Sequence, residues 1–550
     1  MSPENTTLEY GDYAGRPGCL EIESRERVPP SDAPGRSRIA LLAAVSFIIL
    51  IATGCSTLPE NIERTPSRAM TGTQEGLLGR ALSAELAAHP GESGFYPLRT
   101  GLEAFLARIA VIEAAEYSLD VQYYIWHADD TGLILIHRLL AAADRGVRIR
   151  LLLDDFDTAG KDGAIGKLNS HPNVEIRLFN PFNYRRLRLL DFVTGLSRVN
   201  RRMHNKSLTA DNQVTVVGGR NVGNEYFDAA GERVFTDLDV LSVGAVVGEV
   251  SHAFDRYWNS EWAVPAEVIV SEEASGDQLE RLRSELQAYL DEHTDSDYIQ
   301  ALKRTELSQR IRQGSLPLSW GEAELIYDAP EKMESERISA ETHVGPRLQA
   351  IVDGVREELI IVSPYFVPGD ALVAYCGGLV ERGVRVRILT NALASSDVAL
   401  VHAGYMRYRE DLLRNGVELY EFKPVPVVTP MKRRVPGFGS SGSSSLHAKV
   451  FGIDRHEVFV GSFNLDPRSV SLNTELGVWF KNAQLGRQLG ETFDSNIAEV
   501  AYRLGLEGDE LRWHGMEEGA AVVYEHEPET TWFQRVKTWF LSLVVVESML

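Results

Sequence analysis

Cysteine is scarce in this sequence. The 550 residues include three cysteines, and none of them stands in a CxxC pair or in a Cys/His cluster with the spacing of a zinc site. The sequence therefore argues against a disulfide framework and against a structural zinc centre. Cys376 lies in an apolar helical stretch and is predicted to be a small core residue.

An excess of basic residues is also lacking. Lys and Arg number 56 against 78 Asp and Glu, so the formal net charge is −22. A net acidic protein repels polyanions at long range, which argues against a broad nucleic-acid-binding surface, and we expect no nucleic acid partner. The composition is globular, with 44% apolar and 24% charged residues, and the length predicts roughly two to four domains.

Long hydrophobic runs are missing as well, since none reaches the roughly 20 residues that span a bilayer. A polar leader, residues 1–38, precedes a hydrophobic segment, residues 39–55, whose apolar run of about 15 residues fits a secretion signal. Its end, ATGC, resembles a bacterial lipoprotein cleavage site with Cys55 as the lipidated residue. Left uncleaved, the segment is a signal anchor. We expect attachment to a membrane of the bacterial cell envelope; the alternative is a soluble cytoplasmic protein.

A duplication organises most of the chain. The stretch RGVRIRLL at 145–152 returns as RGVRVRIL at 382–389, roughly 240 residues later. In each copy the glycine closes a helix and the β-branched run begins a strand. Strand and helix patterns alternate around both copies. This alternation predicts two tandem α/β domains, each a mainly parallel sheet flanked by helices, related by a pseudo-twofold axis.

The remaining segments are assigned around these two domains. We predict a linker at 56–94, a first domain at 95–265, a charged helical insert at 266–320, a second domain at 321–505, and an acidic tail at 506–550 that ends in an amphipathic helix. One face of that helix carries Trp532, Val536, Trp539, Phe540, Leu543 and Val544. Such a face suits either an interfacial membrane helix or docking on the protein's own core, and the sequence leaves both open.

One motif occurs twice at identical spacing. His204 is followed by Lys206, Asp211, Gly218 and Asn221 at offsets of two, seven, fourteen and seventeen residues. The same residue types follow His447 at the same offsets: Lys449, Asp454, Gly461 and Asn464. Five residue types at common offsets arise by chance on the order of once per million positions. Their recurrence inside the duplication makes a functional site the favoured interpretation.

An acidic residue follows each motif at a matching point. Thr236-Asp237-Leu238 in the first half corresponds to Thr474-Glu475-Leu476 in the second. We predict that Asp237 and Glu475 orient the two imidazoles, as a carboxylate does in a catalytic triad. Asp239 is a rival for this role in the first half, and the TDL/TEL match favours Asp237.

These residue types suit chemistry at a phosphorus atom. His and Lys two apart on a strand project from the same face, so both can meet one phosphate. One histidine can attack phosphorus and form a phosphohistidine, while the other protonates the departing alcohol and then deprotonates the incoming acceptor. Lys206, Lys449, Asn221 and Asn464 would stabilise the non-bridging oxygens. Such a site supplies its own positive charge, so no metal or other cofactor is expected.

The two motifs, HNKSLTAD and HAKVFGID, resemble the HxKxxxxD signature of the phospholipase D superfamily. The stretches QYYIWHADDTG, GGRNVGNEYF and HAGYMRYREDLLRNGVELYE are similar to the bacterial cardiolipin synthase branch, and most similar to its C-type members. The resemblance covers about residues 95–505. It implies a duplicated α/β fold and the two-step mechanism above, with catalytic roles for His204, Lys206, His447 and Lys449.

The resemblance also implies roles for other motif residues. It gives Asp211 and Asp454 a structural role more than a direct catalytic one. We assign His204 to nucleophilic attack and His447 to acid and base work. The first motif continues as GGRN where many relatives have GSxN, so Gly219 lacks the hydroxyl that Ser462 offers. We therefore expect the two halves to bind the phosphate unequally.

Two further features receive interpretations from composition. Basic runs precede both motifs and are interpreted as a rim that attracts anionic lipid; they comprise Arg185, Arg186, Arg188, Arg198, Arg201 and Arg202 before the first and Lys432, Arg433 and Arg434 before the second. The aromatic run Tyr123, Tyr124 and Trp126 is predicted to belong to the core and not to stack on a substrate.

Several functions are compatible with these residues. The favoured one is phosphatidyl transfer between phospholipids such as phosphatidylglycerol or phosphatidylethanolamine, at a membrane surface, yielding cardiolipin or a relative. Hydrolysis by the same site, with water as the acceptor, is the second. An endonuclease on the same scaffold is a third, which the acidic charge and the expected membrane attachment disfavour. A catalytically inactive lipid-binding scaffold is disfavoured because all six central His, Lys and Asn residues are present.

Overall fold

The computed structural model describes residues 62–229, 233–270, 276–293, 297–313, 316–334, 338–424, 426–427 and 442–544. The described residues belong to one compact unit, Thr57–Leu550. The leader, the hydrophobic segment with Cys55, and the basic run Lys432–Arg434 lie outside the described residues. Within the described ranges, no helix is both long enough and apolar enough to cross a membrane.

The first half is built on a nine-stranded sheet with the order β10-β1-β8-β6-β5-β2-β3-β4-β9. Strands β2, β3 and β4 run parallel, and the other pairings are antiparallel. Its strands are β1 (Ser93–Leu98), β2 (Ser118–Tyr123), β3 (Arg148–Asp154), β4 (Val174–Phe179), β5 (Ser207–Ala210), β6 (Val214–Gly218), β8 (Asp239–Gly244), β9 (Ala263–Pro265) and β10 (Ser319–Gly321), while β7 (Arg233–Thr236) lies apart from this sheet.

Helices cover this sheet and extend into the segment that follows it. They are α1 (Leu77–Ala88), α2 (Gly101–Ala114), α3 (Asp130–Asp144), α4 (Asp162–Asn169), α5 (Arg188–Thr194), α6 (Leu196–Val199), α7 (Ala245–Trp258), α8 (Ala266–Ile269), α9 (Gly276–His293), α10 (Asp297–Arg304) and α11 (Glu306–Gln313). Helix α3 illustrates why they form. Asp129 caps its N-terminus by accepting from the Gly132 amide, and Leu135 and Leu139 face the core four residues apart.

The second half repeats the plan in a ten-stranded sheet, with the order β11-β19-β18-β17-β12-β13-β14-β20-β21-β22. Strands β12, β13 and β14 are its parallel members. Its strands are β11 (Ala323–Tyr327), β12 (Glu358–Val362), β13 (Arg385–Asn391), β14 (Glu418–Phe422), β17 (Val450–Ile453), β18 (Glu457–Gly461), β19 (Leu476–Lys481), β20 (Ala501–Glu507), β21 (Glu510–Glu517) and β22 (Ala520–Tyr524); β15 (Pro426–Val427) and β16 (Gly442–Leu446) join β7.

The helices of the second half are fewer. They are α12 (Val344–Val352), α13 (Gly369–Glu381), α14 (Ala399–Tyr405), α15 (Arg409–Arg414), α16 (Pro467–Ser471), α17 (Ala483–Val500) and α18 (Trp532–Val544). Short 3-10 turns at Thr73–Glu75, Asp155–Asp157, Arg185–Leu187 and Pro330–Met333 complete the described helical structure of the chain.

The predicted duplicated α/β architecture is confirmed, because the order β8-β6-β5-β2-β3-β4 in one sheet matches β19-β18-β17-β12-β13-β14 in the other. The prediction of mainly parallel sheets is wrong, since each sheet is mixed and has only three parallel strands in its described part. The physical reason lies in the motifs themselves. Each forms a tight hairpin, β5–β6 or β17–β18, and a tight hairpin joins antiparallel strands.

A continuous apolar core joins the two halves. Phe95 of β1 stacks on Phe480 of β19 with ring centroids 4.4 Å apart. Around this pair, Val217 and Val240 of the first half pack with Val460 of the second, and all of them are buried. Burial of large apolar side chains contributes about 1.5–3 kcal/mol each. The halves therefore hold a fixed orientation across the region where the motifs meet.

The predicted linker and the predicted insert both pack on the first half. In the predicted linker 56–94, the residues from 62 onward pack on the first half, where the Arg64 guanidinium donates to the Glu261 and Ala263 carbonyls. The insert 266–320 is not simply solvated, because Leu279, Leu286 and Leu307 are buried against α2, α3 and α4. Its charges occupy the outer face of helices whose inner face is apolar.

The predicted acidic tail is largely sheet. Residues 501–524 form β20, β21 and β22, an antiparallel extension of the second sheet. Trp513 anchors it, since its indole N–H donates to buried Glu421 at 2.8 Å. The many acidic residues of these strands lie on solvent-exposed positions, which hid the period-two pattern from sequence reasoning.

Candidate active site

The two motifs begin where each half touches the other. His204 and Lys206 lead into β5, and His447 and Lys449 lead into β17. The amide of His204 donates to the Thr474 carbonyl at 2.8 Å, and the amide of His447 donates to the Thr236 carbonyl at 2.8 Å. These reciprocal bonds make each motif part of the backbone network of the opposite half. They are the relation that a pseudo-twofold axis produces.

A small three-stranded sheet adds to this connection. Strand β16, which ends at the residue before His447, pairs in parallel with β7, which ends at the residue before Asp237. Leu446 is thereby opposite Thr236. The position of His447 is thus set by strand pairing to the same segment that carries Asp237.

The orienting carboxylates are exchanged between the halves. Glu475 Oε2 lies 2.9 Å from Nδ1 of His204, and Asp237 Oδ2 lies 2.6 Å from Nδ1 of His447. All four side chains are buried, with His204 7% and His447 4% exposed. A hydrogen bond at Nδ1 fixes the imidazole orientation and directs Nε2 toward a substrate. Neither half is a complete site without the other.

The two lysines are buried between these pairs. Lys206 Nζ donates to the His204 carbonyl at 2.5 Å, and Lys449 Nζ donates to the His447 carbonyl. Burial lowers the pKa of Lys206 to about 7 and that of Lys449 to about 8, and Glu475 and Asp237 oppose this effect. Charge repulsion from the Lys449 ammonium also lowers the pKa of Lys206 in the closed site. A phosphodiester anion would relieve that repulsion.

The two histidines have different electrostatic surroundings. Burial lowers the pKa of His204 well below its ordinary value, and Lys206, Lys449 and His447 lower it further through charge repulsion. Burial and Lys449 also lower the pKa of His447, but Asp237 opposes them by attracting the imidazolium. The pKa of both imidazoles thus lies below the ordinary value, that of His204 further below, and Asp237 limits the fall in the pKa of His447.

The two carboxylates that contact these histidines, Glu475 and Asp237, also differ in their pKa values. Burial raises the pKa of Glu475 to about 7, and Lys206 and Ser462 only partly offset it. Burial also raises the pKa of Asp237, but His447, Lys449 and Arg220 together outweigh this effect, and the pKa of Asp237 lies below its usual value. Asp237 is thus the carboxylate that stays ionised at neutral pH, and Glu475 is only partly ionised.

The motif aspartates lie in turns. The Asp211 carboxylate accepts from the amides of Glu116, Tyr117 and Ser118 at 2.8–2.9 Å, and Asp454 accepts from the amides of residues 356–358 at 2.8–3.2 Å. Both residues have positive φ, 53° and 50°, in the hairpin turns. Each carboxylate joins its hairpin to the start of β2 or β12, which is a structural task.

The phosphate-binding candidates fall into two groups. Asn221 and Asn464 are buried next to the site; Asn221 donates to the Tyr226 hydroxyl at 3.0 Å, and the Asn464 Oδ1 has no hydrogen-bond partner among the described residues. Ser462 and Gly219 instead contact the carboxylates. The Ser462 hydroxyl donates to Glu475, and a Cβ on Gly219 would lie 2.3 Å from Asp237 Oδ1.

This geometry adds to the interpretation of the GGRN motif. The Ser462 hydroxyl donates to Glu475 and accepts from the Leu476 amide, so its difference from Gly219 also affects the carboxylates. Glycine at 219 leaves the space that the Asp237 carboxylate occupies. The two halves are unequal because Gly219 with Asp237 replaces Ser462 with Glu475.

The family of this chain follows from its similarity to known proteins. Residues 109–258 and 349–497 match the family described as "Cardiolipin synthase, PLD-like domain". The chain belongs to this family. The expected membership of the phospholipase D superfamily and its cardiolipin synthase branch is thereby confirmed.

Individual relatives agree with this placement. The chain is 43% identical over 465 residues to cardiolipin synthase C of Escherichia coli strain K12, covering 84% of this chain and 97% of that protein. It is 25% identical over 402 residues to cardiolipin synthase B of the same strain, covering 73% and 79%. A solved phosphatidylserine synthase from Haemophilus influenzae Rd KW20 has a TM-score of 0.54 at 14% identity, covering 86% of this chain and 100% of that one, and shares the fold.

Aromatic residues surround the histidines of this phospholipase D-like site. Tyr124 lies edge-on to His204 at 5.0 Å between ring centroids, and Lys206 Nζ lies 5.5 Å from the Tyr124 ring. Tyr226 and Phe235 lie 5.4 and 4.9 Å from the His447 ring. Tyr124 is half-buried and contacts a motif histidine, whereas Tyr123 is fully buried and Trp126 nearly so. Tyr226 and Phe235 were not singled out from the sequence, although Tyr226 closely follows GGRN and Phe235 directly precedes Thr236-Asp237.

Tyr365 completes this aromatic wall. Its hydroxyl donates to Asp397 at 2.6 Å, and its ring lies edge-on to His447 at 6.3 Å. The residue follows β12 at the carboxyl end of the parallel strands, where ligands of open α/β sheets commonly bind. That position in the second repeat was a usable sequence signal.

The rival carboxylate Asp239 has another task. Its Oδ2 pairs with the Arg108 guanidinium at 2.8 Å and with Arg220 at 3.5 Å, and all three groups are buried. It also accepts from the Arg220 amide at 3.2 Å. Asp239 therefore stabilises the first half beneath the site, and Asp237 is the residue that reaches a histidine.

The described side chains of the basic run before the first motif are mostly half-buried. Arg202 is fully buried and pairs with Asp154 at 3.2 Å, Arg198 pairs with Asp191, and Arg185 pairs with Asp155 and Asp162. Carboxylates therefore already pair with Arg185, Arg198 and Arg202, and the interpretation of the whole run as a rim for anionic lipid stays a prediction. Their ion pairs brace the segment between β4 and His204.

Two groups of side chains among the described residues have the composition of metal ligands. They are His127, Asp129 and Glu225, and His402, Glu421 and Glu527. In the second group Arg409 Nη1 lies 3.0 Å from Glu421 and 2.8 Å from Glu527, so a guanidinium already supplies the positive charge. Neither group includes a motif residue.

Proposed function

We propose that this protein is a phosphatidyltransferase that moves a phosphatidyl group from one phospholipid to an alcohol of another, through a phosphohistidine intermediate. One observation carries the proposal: two buried histidines, each hydrogen-bonded to a carboxylate of the opposite half, share one site with two buried lysines. Family membership supports it, and the relatives named as cardiolipin synthases point to cardiolipin or a related lipid as the product.

In the first step His204 attacks the phosphorus of the donor lipid. Its Nε2 forms a bond to phosphorus while the bond from phosphorus to the donor's headgroup oxygen breaks. His447 gives its Nε2 proton to that oxygen, so the headgroup leaves as a neutral alcohol. A nucleophile must be neutral and a general acid must be protonated. The low pKa of His204 and the anionic Asp237 beside His447 support this division of roles.

In the second step the acceptor alcohol replaces the headgroup. His447 removes the hydroxyl proton, the acceptor oxygen bonds to phosphorus, and the bond to His204 Nε2 breaks. Lys206, Lys449, Asn221 and Asn464 stabilise the charge on the non-bridging oxygens in both transition states. The chemistry is symmetric, so acceptor choice depends on which alcohol reaches the site.

We further propose that the enzyme works at a membrane surface. Helix α18 packs on α14 through the buried Thr538, and Arg407 Nε donates to the Ser542 carbonyl at 2.8 Å. Its other face holds five large apolar side chains that are 56–70% exposed: Trp532, Phe533, Trp539, Phe540 and Leu543. Trp and Phe on one exposed face favour the lipid headgroup region. Together with the proposed signal segment and Cys55, this face would hold the enzyme at the membrane of the cell envelope.

Vesicles of brominated phospholipid test the role of α18. Trp532 and Trp539 are the tryptophans with the largest exposed fractions among the described residues, so contact with brominated chains should quench their fluorescence. We expect Trp532→Phe/Trp539→Phe to lose most of the quenching. The control Trp320→Phe/Trp479→Phe removes two half-buried tryptophans and should keep it. Equal quenching in both variants would contradict insertion of this helix.

Product analysis tests the reaction. The purified protein is added to vesicles of phosphatidylglycerol and phosphatidylethanolamine, and lipids are identified by mass spectrometry. We expect cardiolipin with release of the donor's headgroup, which is glycerol from phosphatidylglycerol or ethanolamine from phosphatidylethanolamine. Phosphatidic acid as the sole product would assign hydrolysis, and nicking of plasmid DNA without lipid turnover would assign a nuclease. Either outcome would overturn phosphatidyl transfer.

A further inference from the structure

An apolar cavity lies beside the candidate active site in the first half. It has a volume of about 110 Å³, and its surface is almost wholly apolar. Leu133 and Ile136 of α3, Ile165 and Leu168 of α4, and Leu282 and Leu286 of α9 form its walls. The floor is the sheet, through Leu151, Leu153 and Ile176. Helix α9 belongs to the charged insert, for which no task was apparent from the sequence.

Two of the residues that line this cavity contact the segment that carries the first motif. They are Tyr124 and Asp154, and Tyr124 is the residue that packs edge-on against His204. Asp154 accepts from the amide of Met203 at 2.8 Å, directly before His204 in the chain. Leu151, Leu153 and Asp154 follow one another along β3, so the cavity runs from the insert toward the reacting histidine.

The polar groups at this cavity are already paired. Lys161 Nζ donates to Asp157 at 2.6 Å and to the Trp126 carbonyl at 2.8 Å, and Asp157 also accepts from the Trp126 amide. Asp154 is paired with Arg202. No charge is left to recognise a polar ligand, so the cavity suits a hydrocarbon.

We propose that this cavity binds the first methylenes of an acyl chain of the lipid whose phosphate is attacked by His204. This inference rests on the proposed function, because a phosphatidyl group carries its acyl chains on the glycerol that is esterified to the phosphate. His204 is 7% exposed, so a phospholipid must leave the headgroup plane of the bilayer to reach it. The cavity keeps the acyl chain out of water during that step. Each methylene group that is buried changes the equilibrium constant for binding about fourfold.

Filling the cavity tests the proposal. Leu286→Trp on α9 and Ile165→Trp on α4 each place an indole in it. We expect kcat/KM for long-chain phosphatidylglycerol in vesicles to fall at least tenfold, while cleavage of bis(p-nitrophenyl) phosphate, which has no acyl chain, stays within about twofold. Retained cleavage of the acyl-free ester shows that the variant is folded.

A matched variant on the same helix separates cavity filling from general damage. Leu279 is buried in the same core but does not line the cavity, so Leu279→Trp should not change the ratio of the two activities. If Leu286→Trp and Leu279→Trp gave the same ratio, or if all variants kept wild-type activity on the long-chain lipid, the proposal would be overturned while phosphatidyl transfer stood.

A second measurement does not depend on turnover. The His204→Ala protein is incubated with vesicles of phosphatidylglycerol that carries a diazirine near the ester end of one chain, irradiated, digested and mapped by mass spectrometry. We expect labels on residues 133–136 and 282–286. Labels confined to the apolar cavity of the second half, at Leu372 and Val470, or no labelled peptide in the first half, would refute the assignment whatever reaction the enzyme catalyses.

Discussion

His204→Ala and His447→Ala are each expected to lower kcat/KM for phospholipid by about 10⁴-fold or more. Both imidazoles act on the same phosphorus, one as the nucleophile and one as the acid and base, so the remaining histidine has little to contribute alone. The loss should appear in kcat, since the lysines and asparagines that bind the phosphate are left in place. Release of the headgroup alcohol from vesicles, followed over time, measures it.

The roles of the two histidines can be separated with an activated ester. A p-nitrophenyl leaving group departs without protonation, so His447→Ala should still release p-nitrophenol in a first-turnover burst, while His204→Ala should release none. The burst should leave phosphorus bound to His204, detectable in the digested protein. A burst in His204→Ala and none in His447→Ala would reverse the assignment. His252→Ala, which removes an exposed histidine of α7, is the control and should behave as wild type.

The duplicated fold and the histidine and lysine positions could be predicted because their signals are local. Each motif fits a hairpin of fixed length, and the aspartate seven residues after the histidine sits in the turn with positive φ. Spacing along one strand decides which side chains share a face. Two copies of such a hairpin, on sheets of matching strand order, must present their histidines at corresponding points.

The exchange of carboxylates could not be predicted in this way. Glu475 follows His447 in the chain, yet it bonds His204, because the contact depends on how the two halves pack. The reciprocal amide bonds of His204 and His447 to Thr474 and Thr236 are likewise contacts between halves. Nothing near His204 in the sequence records which carboxylate will reach it.

Charge patterns were the least reliable guide. The arginines before the first motif looked like a surface because their sequence does not show that Asp154, Asp155 and Asp191 pair with them. Strands β20–β22 looked like a tail because their acidic residues occupy the exposed positions. Composition reports how many charges a segment has, and the fold decides whether they face water or one another.

The unequal carboxylates give the site a direction that the duplicated motif alone does not have. Two identical halves would leave either histidine free to attack. Here Asp237 lies against Gly219 and stays ionised, while Glu475 accepts from Ser462 and its pKa is raised to about 7. Asp237 limits the fall in the pKa of His447, whereas burial and the neighbouring cations lower the pKa of His204 further. The differences between Gly219 and Ser462 and between Asp237 and Glu475 would thus assign the roles of acid and nucleophile to different histidines.

Amide substitutions of the two carboxylates should therefore have unequal effects. We expect Asp237→Asn to lower kcat/KM by about 10³–10⁴-fold, as loss of the carboxylate does in catalytic triads, because imidazolium at His447 loses its counter-ion. We expect a smaller loss, about 10²-fold, for Glu475→Gln, because Glu475 is only partly ionised at neutral pH and Gln Oε1 can still accept from Nδ1 of His204. Initial rates on phosphatidylglycerol vesicles give both values.

The pH profile distinguishes this effect from simple structural damage. Asp237 raises the pKa of His447, so its replacement lowers that pKa, and the general acid is then protonated only at lower pH. The optimum of kcat/KM in Asp237→Asn should accordingly move to lower pH. Asp277→Asn, which neutralises an exposed carboxylate of the insert, should leave both rate and optimum unchanged. An optimum that stays fixed or moves to higher pH in Asp237→Asn would be inconsistent with an ionised Asp237 paired to the acid, and the division of roles between the two histidines would fail with it.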